Sequence, residues 1–212
     1  MLLWKEFTLE FRNRNALNGI VLYVFSTIFI AYQSFRSVSD VPVWNALLWI
    51  ILLFSSVNAV NKTFQNDGSG RQYYFYLLAD PVAVILSKIL YNIILLTFLS
   101  LVSAAFYSLV LGNPVQQYGN FILVLLLGSI GLSSLLTMVS AISYKSGNAM
   151  GMIAVLGFPI MIPLLITIIK ASKGVADGLP FSTYSKYLVT MAGLDILIIA
   201  LSVILFPYLW RD

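Results

Sequence analysis

The chain has 212 residues, of which 60% are hydrophobic and only 9% charged, and its mean hydropathy is +0.93. A soluble domain carries about a quarter charged residues, so this composition excludes one and places the chain in a bilayer. The formal charge of +4 and the pI near 9.3 then read as basic loops on the cytoplasmic side of a membrane, not as a nucleic-acid surface.

Each helical crossing consumes about 20 apolar residues, so six crossings use most of the chain and leave a single polytopic domain over residues 1–212. A membrane barrel would show segments of about ten residues alternating in polarity. The apolar runs here are long and unbroken, which predicts an all-α fold. Cysteine is absent, which excludes disulfides and thiolate metal sites. Histidine is absent too, and with it the commonest haem-iron ligand and the commonest general base.

In residues 1–15, Leu3, Trp4, Phe7 and Phe11 fall on one helical face and Lys5, Thr8 and Arg12 on the other. Glu10 and Arg14 form an i, i+4 pair in the favourable order. This pattern predicts an amphipathic helix lying in the membrane interface; the alternative is a polar extension of the first span. Spans are expected at about Leu17 to Phe35 and Val43 to Val60, with Trp44 and Trp49 near one end of the second, at headgroup level. No h-region with a small-residue cleavage site follows the N-terminal residues, so no cleavable signal is expected.

From Asn61 to Lys88 runs the one long polar interruption. It combines a turn-rich break, Asn66-Asp67-Gly68-Ser69-Gly70, with the cluster Tyr73, Tyr74, Phe75, Tyr76 and Leu77. An apolar cluster in a water-facing loop needs cover, and tyrosines suit partner contact because they bury area at low entropic cost. The segment therefore reads either as a docking site for a soluble partner or as a helix resting on the headgroups.

Span three is expected from about Ile89 to Leu111, ending in the uncharged turn Gly112 to Gly119. Span four covers about Phe121 to Ser143, with a small-residue face of Gly128, Gly131, Ser133 and Ser134. Span five begins near Asn148. Its Gly147 and Gly151 form G-x-x-x-G, a motif for close helix approach within the subunit or across a dimer of two copies. Its Pro159 and Pro163 each remove a backbone donor, which predicts a kinked helix, serving either as a hinge or as static packing. Span six takes about Tyr187 to Trp210 and contains Asp195, the one acidic residue inside a span. A carboxylate in a membrane helix is a candidate proton or cation contact, or it is wet if the span starts late.

With the N-terminus cytoplasmic, that side holds Lys5, Arg12, Arg14, Lys62, Arg71, Lys88, Lys145 and Arg211, and the far side Arg36, Lys170, Lys173 and Lys186. The bias places both termini inside. No G-x-x-x-x-G-K-[ST] phosphate cradle occurs, and Gly68-Ser69-Gly70 lacks the third glycine of a dinucleotide fingerprint. The chain is thus read as non-catalytic. Active transport would draw on a partner or an ion gradient.

The stretches LLWKEFTLEFRNR, LLFSSVNAVNKTFQNDGSGRQYYFYLLADPVAVILSKIL and LGSIGLSSLLTMVSAISYKSGNAMGMIAVLGFPIMIPLLI together resemble the haem exporter protein B (CcmB) family. The run from Lys145 to Ile166 is the most specific part. Phe64 and Asp67 look matched to the family's Phe before an acidic turn, and Pro81 and Lys88 to its entry into span three. Where family members carry a second Asp-Gly and a Glu, this chain reads Gly70-Arg71-Gln72. No family role comes to Asp195.

The resemblance implies an ABC type-2-like permease subunit of the bacterial inner membrane, in the complex of system I cytochrome c maturation. It implies a cytoplasmic ATPase partner that uses ATP, haem-handling membrane subunits with haem as the cargo, and release of a haem-loaded periplasmic chaperone. No cofactor would be bound by this chain directly. Phe64, Asp67 and Tyr73 to Tyr76 are the candidate ATPase contacts. Two other readings stay open: a type-2 exporter permease for a lipid or hydrophobic small molecule, and an ATPase-independent secondary transporter or scaffold.

Overall fold

A computed structural model describes residues 14–35, 40–65, 80–144, 151 and 153–211. Helices α1 (Arg14–Phe35), α2 (Val41–Gln65), α3 (Pro81–Leu111), α4 (Tyr118–Tyr144), α5 (Phe158–Ala176) and α6 (Phe181–Arg211) follow one another, with a π-helical turn over Ile153–Gly157 before α5. There is no strand among the described residues. Six of their helices are long and apolar enough to cross a membrane. That is the all-α, polytopic architecture expected from the composition, because in lipid a backbone must satisfy its polar groups within its own helix. The interfacial helix expected over residues 1–15 lies outside the described residues apart from Arg14 and Asn15.

Helix α4 is the centre of the bundle. Of its membrane span 72% is buried, against 17% for that of α1, and it packs against α2, α3, α5 and α6. Lipid tails are as apolar as leucine, so the helices gain from close contact and from hydrogen bonds between them. Both are present. A Cβ on residue 128 would sit 2.6 Å from the Trp49 ring, so only glycine lets α2 approach α4 this closely. Asn92 Nδ2 donates to Thr137 Oγ1 at 2.9 Å, and the Ser100 and Ser129 hydroxyls lie 2.8 Å apart, tying α3 to α4. Ser55, Ser56, Ser103 and Ser202 donate to carbonyls one turn back in their own helices, which lets a hydroxyl be buried without a foreign partner.

Trp44 and Trp49, near one end of α2, are also core residues, both buried. Each indole N–H finds a protein acceptor, as a buried indole requires. Trp44 Nε1 donates to Gly112 O at 2.9 Å, and Trp49 Nε1 to Ser172 Oγ at 2.9 Å. Ser172 Oγ in turn donates to Asn45 Oδ1 at 2.7 Å, and Asn45 Nδ2 to Ile169 O at 3.0 Å, fastening α2 to α5.

At the end of the bundle carrying the 112–117 and 177–180 connections, here called the turn end, the backbone N–H of Gln116 donates to Ala176 O. There Gln117 Nε2 donates to Leu179 O, Asn120 Nδ2 to Tyr184 OH, and Tyr184 OH to Gln117 Oε1. Gly112 and Gly178 adopt positive φ, 87° and 70°, which glycine supplies without a side-chain clash. At the opposite end a separate small cluster of Val84, Ile85, Ile89, Ala141 and Phe206 joins the start of α3 to the ends of α4 and α6.

Several boundaries move. Span three starts at Pro81, not Ile89, because Asp80 caps it, its side chain accepting from Val82 N at 3.4 Å, with proline in the first turn. Lys88 is therefore a buried helical residue and not part of a water-facing segment. Span six starts at Phe181, and Lys170 and Lys173, expected in a loop, belong to α5.

Ser172 is the hub of the contact between α2 and α5. Ser172→Ala is expected to lower the stability of the protein in detergent by about 1 kcal/mol, read from the midpoint of thermal unfolding, whereas Ser34→Ala on the exposed end of α1, where the hydroxyl meets only Ile30 O, leaves it unchanged.

Candidate functional site

The residues singled out in the sequence fall into three places. Phe64 lies in the last turn of α2, while Asp67, Tyr73, Tyr74, Phe75 and Tyr76 lie outside the described residues. What the structure fixes is the frame around them. The end of α2 and the start of α3 lie at the end opposite the turn end, as do the start of α1 and the ends of α4 and α6. At 1.5 Å per residue α3 is about 46 Å long, against about 30 Å of hydrocarbon. With Leu111 at the turn end, its first turns around Val84 and Ile85 reach beyond the apolar layer unless the helix tilts, and there they pack on α4 and α6.

The second place is the entry to α5. Gly147 lies outside the described residues; Gly151 is helical and exposed. The π-helical turn Ile153–Gly157 then changes to α-helix at Phe158, with Pro159 in the first turn and Pro163 inside. Pro159, two residues past the change, brings no N–H to the ladder that continues from the π-helical turn. Pro163 is the interior interruption, and Thr167 Oγ1 donates to its carbonyl at 3.1 Å and to that of Leu164 at 2.7 Å. The irregular backbone is thus concentrated in one π-to-α junction, a feature common at functional positions in helices.

The third place is Asp195. Helix α6 begins early, so Asp195 lies about 21 Å from Phe181 and about 24 Å from Arg211 along the axis. It is only 4% exposed. The expectation that it is wet near a surface is therefore corrected. Among the described residues neither carboxyl oxygen has a hydrogen-bond partner. Its Oδ1 occupies the space a Cβ on residue 131 would need, and the Leu164 methyls close the same space. Gly131 thus makes room for the carboxyl at the junction of α4, α5 and α6. Sequence reasoning placed Gly131 on a small-residue face and Asp195 in a span; that the two meet could be found only in three dimensions.

A groove of about 540 Å³ between α3 and α4 at the turn end is lined by Leu101, Leu109, Tyr118, Ile122 and Leu125 among others. It holds no charged side chain and is mainly apolar, with Ser108 and Asn113 among its lining. Among the described residues no three His, Cys, Asp or Glu side chains come together as a metal site.

The family model described as "CcmB protein" matches residues 1–208 of the chain. A protein of Pseudomonas aeruginosa described as "Heme exporter protein B" is 28% identical over 163 residues, which cover 76% of this chain and 71% of that protein.

The contact between residues 131 and 195 is tested by stability. Gly131→Ala is expected to cost about 1–3 kcal/mol, as overpacking does in a filled core, while Gly193→Ala, whose added methyl would meet nothing within 4 Å, costs nothing. Combining Gly131→Ala with Asp195→Ala is expected to recover part of the loss, which thermal unfolding of the four proteins reads as a coupling between neighbours.

Proposed function

Since the chain belongs to the CcmB protein family, we propose that it is a membrane subunit of a haem exporter in c-type cytochrome biogenesis, driven by ATP hydrolysis on a separate cytoplasmic ATPase. The observation that carries this reading is the frame of the 66–79 connection. A force applied there meets the ends of α2 and α3 together. Because α3 is one continuous helix with its first turns packed on the ends of α4 and α6, the push passes to three helices at once and through them across the bilayer.

The composition supports a division of labour. The sequence holds no phosphate-binding G-x-x-x-x-G-K-[ST] motif, so the nucleotide site belongs to a partner. It holds no histidine or cysteine either, so haem, the cargo, would find no imidazole or thiolate for its iron here. Haem-handling membrane subunits and a periplasmic chaperone therefore take up the cargo, and this chain delivers the mechanical step that releases it. In this reading the protein sits in the bacterial inner membrane with both termini, the 66–79 connection and residues 145–150 in the cytoplasm, which puts seven of its twelve Lys and Arg residues on that side, besides Lys88 buried in α3.

A second reading, ion-coupled transport without an ATPase, draws on the unpartnered carboxyl of Asp195. The two readings separate cleanly. Asp195→Asn keeps the shape of the side chain and abolishes its charge; it is expected to leave covalent haem in membranes within about twofold of wild type under ATP coupling. Loss of activity with the complex intact would favour the ion.

Deleting the protein is expected to remove covalently bound haem from membrane c-type cytochromes in a haem-stained gel; normal staining would overturn the reading. Tyr74→Glu or Phe75→Glu is expected to leave membrane insertion intact and to cut co-purification of the ATPase by about tenfold, the loss of about 1.4 kcal/mol of binding. Unchanged recovery would mean that this cluster touches lipid only.

A further inference from the structure

Of the four Lys and Arg residues that do not follow the basic bias of the sequence, three lie near the turn end on α5 and α6. They are not equivalent. Lys173 stands in the last turn of α5, where a cation complements the helix dipole. Lys170 lies about 9 Å down α5 from Ala176, and Lys186 about 8 Å down α6 from Phe181. For neither does its own helix supply a reason. Lys186 is near the N-terminal end of α6, where the dipole gives a cation nothing.

The two lysines converge. Lys170 Nζ lies 5.8 Å and Lys186 Nζ 5.1 Å from the centre of the Tyr187 ring, so two positive charges from adjacent helices lie against one half-buried aromatic ring. Both lysines are exposed, and among the described residues neither has an ion pair with a carboxylate. One ring quadrupole attracts a cation, but it does not cancel the repulsion of two. The common depth just below the helix ends is where long lysine stems extend toward the headgroups. An anion bridging the two ammonium groups at that depth would complete the arrangement.

We infer that Lys170 and Lys186, both drawn to the Tyr187 ring, form a binding site for the phosphodiester of an anionic phospholipid in the leaflet bordering the turn end. The lipid chains would run down the exposed apolar faces of α5 and α6, where Ile166, Ile162 and Val189 are open. This inference rests on the six-span arrangement and not on the haem reading, so either stands without the other.

Native mass spectrometry of the full-length chain in mild detergent, with any subunits that co-purify, tests it with phosphatidylglycerol and phosphatidylcholine as probes. Wild type is expected to retain phosphatidylglycerol about fivefold more than phosphatidylcholine. Lys170→Gln with Lys186→Gln is expected to abolish the preference, each single variant to halve it, and Lys170→Arg with Lys186→Arg to keep it. Millimolar inorganic phosphate is expected not to displace the lipid. Equal retention of the two lipids by wild type, an undiminished preference in the double Gln variant, or displacement by free phosphate would each overturn the site.

Discussion

The closeness with which α4 can be approached governs the rest of this fold. In a bilayer no hydrophobic force drives one apolar helix onto another, and cohesion comes from contact area and from hydrogen bonds too short-ranged to act across bulky side chains. Gly128 admits the Trp49 ring and Gly131 the Asp195 carboxyl, while Thr137 and Ser129 reach α3 directly. Replacing that face by leucines would make the chain more hydrophobic and yet hold its central helix at a distance from α2 and α6.

The turn end is knitted by Gln116, Gln117, Asn120 and Tyr184 across the α4 and α6 starts, and by Trp44 to Gly112 across the α2 start and the α3 end. The opposite end holds a small apolar cluster, and near it α5 begins with a π-to-α change of backbone. The proposed coupling enters at that end, where the start of α3 meets the ends of α4 and α6.

Much of this was legible in the chain. Six apolar runs appear as six helices because, in lipid, the length of a run and the absence of charge leave the backbone no other spanning form. The small-residue face of α4 was readable for the same reason. Helix starts were less legible: Asp80-Pro81 is a cap-and-proline signal within the sequence, but the polar tract before it drew the boundary to Ile89. That Trp44 and Trp49 pack in the core was not legible, because residue type alone does not tell whether an indole N–H finds water or Ser172. The site residues were the least legible. The neighbour of Asp195 lies on another helix, and pairing of Lys170 with Lys186 about Tyr187 depends on the rotation of two helices about their axes. The family resemblance, by contrast, rested on contiguous motifs and needed no coordinates.

The claim that a soluble motor works this bundle from the 66–79 connection depends on the side of the membrane that connection faces. The chain has no cysteine, so Gly68→Cys carries a single thiol. A membrane-impermeant maleimide is expected to label it in inverted inner-membrane vesicles and not in intact spheroplasts. Labelling in spheroplasts, with inverted vesicles protected, would place the connection out of reach of any cytoplasmic ATPase and contradict the account.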